Sequence, residues 1–116
     1  ASGVVTSRQI VPFYPVNGGA TGAWTEEILG VGTLLDRFGG TSGNYLSPHG
    51  TPFQMRSLPP QLNNQEIYHV YEVLKPLKVN TATVAPWFYQ PGGGIQYMTP
   101  TSINTLIDLK ILGVIK

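Results

Sequence analysis

Apolar and polar residues alternate along this chain in two rhythms, and these rhythms divide it into elements. Runs rich in β-branched or aromatic residues between turn signals predict strands at Thr33–Arg37, Tyr68–Leu74, Leu77–Val79, Thr83–Val84 and Ile95–Thr99. Within Tyr68–Leu74 a period of two puts Val70, Glu72 and Leu74 on one face and His69, Tyr71 and Val73 on the other. Glu72 beside Val70 and Leu74 predicts a half-wet face, with a paired carboxylate as the other reading. Near the C-terminus Ile103, Leu106, Ile107 and Ile111 recur at helical spacing and form one apolar stripe. Thr99-Pro100 supplies a cap and a first-turn proline, Gly113 a stop, and Val114-Ile115 a short closing strand. Shorter helices are predicted at Trp24–Leu29 and Asn63–Glu66. No βαβ alternation is present, so the predicted class is α+β. It is a compact single domain over residues 1–116, with a mixed, mainly antiparallel β core, few short helices and long Gly/Pro-rich loops. The polar, patternless start predicts an exposed arm within residues 1–20.

Composition sharpens this picture at three points. Fourteen glycines and ten prolines in 116 residues bunch at Gly18-Gly19, Gly39-Gly40, Pro59-Pro60 and Pro91-Gly92-Gly93-Gly94. Short elements joined by turns of fixed geometry follow, and such loops carry sites. Charged residues make up only 11%, with net charge +1 and no run of either sign. That excludes the clustered cations that general nucleic-acid or membrane-surface binding needs. No apolar stretch is long enough to span a bilayer or to form a signal-peptide core. With no cysteine there is no disulfide framework, thiolate metal site or cysteine nucleophile.

Standard catalytic constellations are poorly supported. His49 and His69 stand far apart without an HExxH pattern, so no metal site is expected, and His49 reads as a solvated turn residue. Glu26, Glu27, Glu66 and Asp108 fall on predicted helices, where solvated faces are the default, and only Asp36 and Glu72 fall on strands. A glycosidase-type carboxylate pair is therefore weakly supported, and a GxSxG elbow is absent. Three other features converge. Gly92-Gly93-Gly94 reads as a tight hairpin, or as a loop presenting N–H groups to a ligand. Trp87-Phe88-Tyr89 just before it cannot all enter one core, so an exposed aromatic is expected, suited to stacking. Arg37 and Arg56, placed at a strand end and before a rigid Pro-Pro turn, suit recognition of a diphosphate; the bland reading of Arg37 is an ion pair with a core-edge carboxylate. Residue types and spacing alone give a nucleotide-sized pocket with arginines, aromatics and a glycine loop.

The same residues carry a family resemblance. Leu35-Asp36-Arg37-Phe38-Gly39, Gly43-Asn44-Tyr45-Leu46-Ser47-Pro48, Gly50-Thr51-Pro52-Phe53 and Arg56-Ser57-Leu58-Pro59-Pro60 occur in order. Tyr68-His69-Val70-Tyr71, Pro86-Trp87-Phe88 and Gln90-Pro91-Gly92-Gly93-Gly94-Ile95-Gln96-Tyr97 follow. From about residue 30 to the C-terminus the chain resembles the tuberculosis necrotizing toxin domain family. The resemblance implies an NAD⁺ glycohydrolase that releases nicotinamide and ADP-ribose, or the phosphorylated product from NADP⁺. It implies Gln96 and Arg37 as catalytic residues, and Arg56, Phe38, Tyr45, His69, Trp87, Phe88, Gly93 and Gly94 as substrate-binding. It implies no cofactor and no metal, NAD⁺ and NADP⁺ being substrates. It also implies a secreted or exported toxin, carried at the end of a larger protein, matched by a cognate immunity protein, and acting where NAD⁺ is available, such as a target cell's cytosol. No nucleic-acid partner and no membrane insertion are expected.

That chemistry accounts for the missing carboxylate pair. Nicotinamide leaves as a neutral group from a cationic ring, so no acid need protonate it. The barrier lies in an oxocarbenium-like ribosyl centre, which placed charge and dipoles can lower. The expected roles are an amide carbonyl of Gln96 near the ribose or attacking water, Arg37 and Arg56 on the pyrophosphate, and Phe38 with Trp87 or Phe88 walling the rings. Tyr45 and His69 would order ribose hydroxyls. ADP-ribosyl transfer to a macromolecule, or nucleotide binding without turnover, are the competing expectations; the first would normally want a glutamate where Gln96 stands.

Overall fold

Leu34–Phe38, buried at Leu35, Asp36 and Phe38, forms the strand on which the cleft is built. The computed structural model describes residues 3–6, 9–12 and 17–116. In chain order the strands are β1 (Gly3–Thr6), β2 (Gln9–Pro12), β3 (Ala20–Leu29), β4 (Leu34–Phe38), β5 (Tyr45–Pro48), β6 (Tyr68–Val73), β7 (Leu77–Val84), β8 (Ile95–Met98) and β9 (Leu112–Val114). One α-helix, α1 (Ile103–Asp108), and short 3₁₀ turns complete the described fold. Strands β1 and β2 pair with each other, and the other seven form one sheet in the order β3-β7-β8-β5-β4-β6-β9. Every pairing among the described residues is antiparallel, in keeping with the expected α+β class and its mainly antiparallel core. No described helix is long and apolar enough to cross a membrane. The expected N-terminal arm falls partly outside the described residues, and β1–β2 occupies part of it.

The core lies on one face of the sheet. Leu35, Leu46, Tyr71, Val73, Val79 and Leu112 are buried there, and α1 covers them through Ile103 and Leu106. Burying such a side chain contributes roughly 1.5–3 kcal/mol, and Leu106→Ala would cost about 2–5 kcal/mol. In β6 it is the Tyr71/Val73 face that is sealed, while Glu72 is half-buried and Leu74 exposed, the half-wet face expected.

Several elements differ from expectation for identifiable reasons. Residues 24–29 are strand, not helix: Thr25 to Leu29 pair with Thr81 to Leu77 of β7. The ladder supplies long-range hydrogen bonds that local propensity cannot anticipate. Leu77–Val79 and Thr83–Val84 are two ends of the single strand β7. Asn63–Glu66 gives only a 3₁₀ turn, Gln65–Ile67, capped by Asn64. Helix α1 is capped by Ser102, whose Oγ accepts from the Thr105 N–H at 3.2 Å. Thr99 instead ties its N–H and Oγ1 to the Asn44 carbonyl. The helix stops well before Gly113, at Asp108 with Leu109 as its cap, and Lys110 beyond the cap is left-handed at φ 62°. There Ile111 N–H reaches Leu106 O and Lys110 N–H reaches Ile107 O, the paired bonds of a Schellman ending.

Candidate active site

Strand alternation and register bring Asp36, Phe38, Ser47, Tyr45 and Gln96 to the face opposite the core, while Arg37, alternating with Asp36 and Phe38, leaves β4 on the Leu35 side. Asp36 and Phe38 point from β4 to the face opposite the core while Leu35 points to the core. Asp36 is registered with Ser47, Tyr45 with Met98, and Gln96 with Ala82, so Ser47, Tyr45 and Gln96 share that face. The segment 53–62 covers it. Between them lies a cleft with two adjoining lobes, both lined by Arg37, Tyr45, Arg56, Leu58, Val84 and Gln96. A narrow lobe of about 60 Å³ reaches Asp36, Phe38, Leu46 and Ser47. A wider one of about 350 Å³ extends to Gly18, Gly19, Ser57, Pro59 and Leu62.

Arg37 occupies the point where two strands part. β4 and β5 pair only at Leu35–Pro48 and Asp36–Ser47. Beyond that, Arg37 Nε donates to Gly40 O at 2.9 Å and a terminal nitrogen to Tyr45 O at 2.9 Å. Glycine at 39 and 43 makes room: a β-carbon at Gly39 would come within 3.1 Å of the guanidinium, and one at Gly43 would overlap it. Among the described residues no carboxylate pairs with Arg37. Burial lowers its pKa below the ordinary arginine value, with Tyr71 opposing the shift.

The paired arginine is Arg56. Its guanidinium meets the Asp36 carboxylate at 2.6 Å, with side chains 5% and 0% exposed. Nε and a second terminal nitrogen donate to Thr51 O at 3.0 and 2.7 Å, and its Cζ lies 4.9 Å from the Phe38 ring centroid. Arg56 follows directly on the 3₁₀ turn Phe53–Met55. Asp36 is held by Arg56 through Oδ1 and, through Oδ2, by the Tyr68 hydroxyl at 2.7 Å and Gly50 N–H at 2.9 Å, so it is an ion-pair partner and not a free acid. Burial and the Asp36 bond push the Tyr68 pKa up to about 12. Phe38 packs edge-on to Phe53 and tilted to Tyr68, so it contributes a buried wall.

Gln96 lines both lobes, and its buried Nε2 has no hydrogen-bond partner among the described residues. A buried amide donor left open costs about 1–3 kcal/mol, which a bound acceptor would offset. Tyr45 lines the cleft too, with its hydroxyl near Gly18 and its ring 6.2 Å from Trp24.

Other expected site residues lie elsewhere. His69 pairs with Arg37 across β4–β6 and stacks towards Tyr71 at 6.4 Å, outside the residues lining either lobe. Trp87 and Phe88, both half-buried, do not line the lobes either. The exposed aromatic is Tyr89, at the tip of a turn in which Phe88 and Tyr89 are left-handed. The glycine run does not present its N–H groups to the cleft. Gly92 N–H goes to Gln54 O, Gly93 to Val84 O and Gly94 to Met55 O. Glycine is required for approach: a β-carbon at Gly92 would lie 2.6 Å from Ala85 O, and one at Gly94 2.9 Å from Met55 O. His49 is exposed in its turn. Among the described residues no three metal-ligating side chains cluster.

Comparison with known proteins agrees with the geometry. A conidial surface nicotinamide adenine dinucleotide glycohydrolase of Aspergillus fumigatus is 45% identical, over 81% of this chain and 45% of that protein. The chain thus spans about half the length of this curated relative. The structure of tuberculosis necrotizing toxin with its immunity factor superposes at TM-score 0.69 and 28% identity, over 90% of this chain and 62% of that one. Rhs1-CT, solved with its cognate immunity protein, shares the fold at TM-score 0.61 and 12% identity, over 89% and 84% of the two chains. The family model for tuberculosis necrotizing toxin matches residues 28–115. This chain belongs to the tuberculosis necrotizing toxin family.

Proposed function

We propose that the cleft hydrolyses NAD⁺, and NADP⁺, at the nicotinamide–ribosyl bond. The observation that carries this reading is Gln96, an uncharged side chain with an open amide donor in a cleft that also holds two arginines. The carboxylate that lines it among the described residues, Asp36, is paired with Arg56. Such a site suits a reaction with a neutral leaving group. The C–N bond to nicotinamide breaks with its electron pair going to the ring nitrogen, water bonds to the ribosyl carbon, and water's proton passes to solvent. The Gln96 amide carbonyl, the negative end of its dipole, stabilises the positive ribosyl centre, and its open Nε2–H is left to bond a ligand oxygen. Arg37 and Arg56 hold the pyrophosphate, so binding energy remote from the bond positions it. Tyr45 contributes a ribose contact.

The same reading makes the chain the NAD⁺-destroying domain of an exported protein that acts in a target cell's cytosol, with an immunity protein as partner. The relatives solved with immunity proteins support the latter. Etheno-NAD⁺ tests the activity. Fluorescence should rise with enzyme alone and should not require an acceptor protein. Label appearing on an added protein instead would make the chain a transferase, and no fluorescence change would leave a binding module.

A further inference from the structure

The glycine run's N–H groups are engaged, but another set of main-chain donors in the cleft is open. Arg56 is right-handed at φ −97°, ψ −11°, and Ser57 follows left-handed at φ 49°. Successive residues of these two hands turn their N–H groups to one side and form an anion-binding nest. At the end of a helical turn such N–H groups normally return to its carbonyls. Here those carbonyls are engaged: Phe53 O by Arg56 N–H, Gln54 O by Gly92 N–H and Met55 O by Gly94 N–H. Among the described residues the N–H groups of Ser57 and Leu58 have no hydrogen-bond acceptor. Ser57 is only 6% exposed, so its donor does not face bulk water.

Ser57 is not a glycine, and holding it left-handed costs about 1–2 kcal/mol. Its Oγ bonds Ala85 O at 2.5 Å, and Gln90 Nε2 bonds Leu58 O at 2.6 Å. Both anchors pin the turn to the far end of β7 and the loop beyond it. Arg56, Ser57 and Leu58 line the wider lobe together with Gln96, whose Nε2 is also open.

We propose that the Ser57 and Leu58 N–H groups, with the Arg56 guanidinium, form the subsite that binds the pyrophosphate of the dinucleotide. This rests on the NAD⁺-hydrolysing reading for the identity of the ligand and on the nest for its location. Asp36 neutralises much of Arg56, so the main-chain donors complete the anion's coordination on that side of the cleft, with Arg37 the second cation lining it. Ser57 Oγ is the positioning group that keeps the turn left-handed.

The test uses the ¹⁵N-labelled chain and inorganic pyrophosphate. The Ser57 and Leu58 amide resonances should move on titration while those of Gly92 and Gly94 stay. Replacing the Leu58 amide by an ester, which deletes the N–H and keeps the side chain, should weaken pyrophosphate binding about tenfold and raise KM for NAD⁺ with kcat nearly kept. Shifts confined to Gly92–Gly94, no shift at all, or wild-type affinity in the ester variant would each overturn the subsite. Pyrophosphate bound at Ser57 and Leu58 by a protein that leaves NAD⁺ intact would keep the subsite and reject the proposed activity.

Discussion

Gly43 lies where a side chain would overlap the Arg37 guanidinium. The two residues come from either side of the gap between β4 and β5, and the missing β-carbon is what lets Arg37 bond both Gly40 O and Tyr45 O. Gly43→Ala should therefore displace the guanidinium and lower kcat/KM by about 10- to 100-fold, the loss expected for charge-assisted bonds. Arg37→Lys should do likewise, since lysine keeps the charge and loses the fork. Wild-type kinetics in either variant would remove Arg37 from the reaction.

Gln96→Ala should abolish most turnover without lowering the unfolding midpoint, because the amide acts on the transition state and its open donor costs the free protein stability. Gln96→Glu is the informative companion. Retained hydrolysis, or transfer to protein, would show that a carboxylate serves the same centre.

The Asp36–Arg56 pair separates stability from activity. Removing either partner alone leaves a buried charge unmatched and should cost about 3–5 kcal/mol in urea unfolding. Asp36→Leu combined with Arg56→Met should recover much of that loss without recovering NAD⁺ hydrolysis. A double variant that is both stable and active would show Arg56 to be a structural residue only.

Alkaline stability follows from Tyr68, whose pKa rises from 10.0 to about 12. A raised folded-state pKa means the folded protein holds the proton more tightly than the unfolded chain does. The contribution is complete below pH 10 and fades as pH climbs towards 12. Tyr71 and Tyr97, raised by burial, add the same sign. Denaturant midpoints should fall over that range, and Tyr68→Phe should flatten part of the fall. An unchanged slope in Tyr68→Phe would refute the assignment.

Turnover should survive EDTA, because fixed dipoles and guanidinium groups handle the charge in the proposed reaction. Activity lost to chelator and restored by a divalent ion would overturn this.

Legibility from the sequence followed the range of the interactions. β4, β6 and the stripe of α1 are local patterns, and they were readable. So was the pairing of Arg37 with a glycine-rich neighbourhood, although not the reason, which is that Gly39 and Gly43 bracket the guanidinium. Residues 24–29 misled because only β7 makes them a strand. The surroundings of Arg56 and of the glycine run were hidden in a related way. Which counter-ion meets Arg56, and which carbonyls take the Gly92–Gly94 N–H groups, depends on segments far apart in sequence. The left-handed Ser57 carries no compositional mark at all.

Gly92 and Gly94 hook onto Gln54 O and Met55 O, and Gln96 follows two residues after Gly94. This short run works as a ruler between the roof of the cleft and its reacting amide. Insertion or deletion of one residue between Gly94 and Gln96 would turn the glutamine to the opposite face of β8, away from the bond it addresses. Length changes at Gly30–Gly32, where added β-carbons at both glycines would meet nothing, would leave that spacing intact.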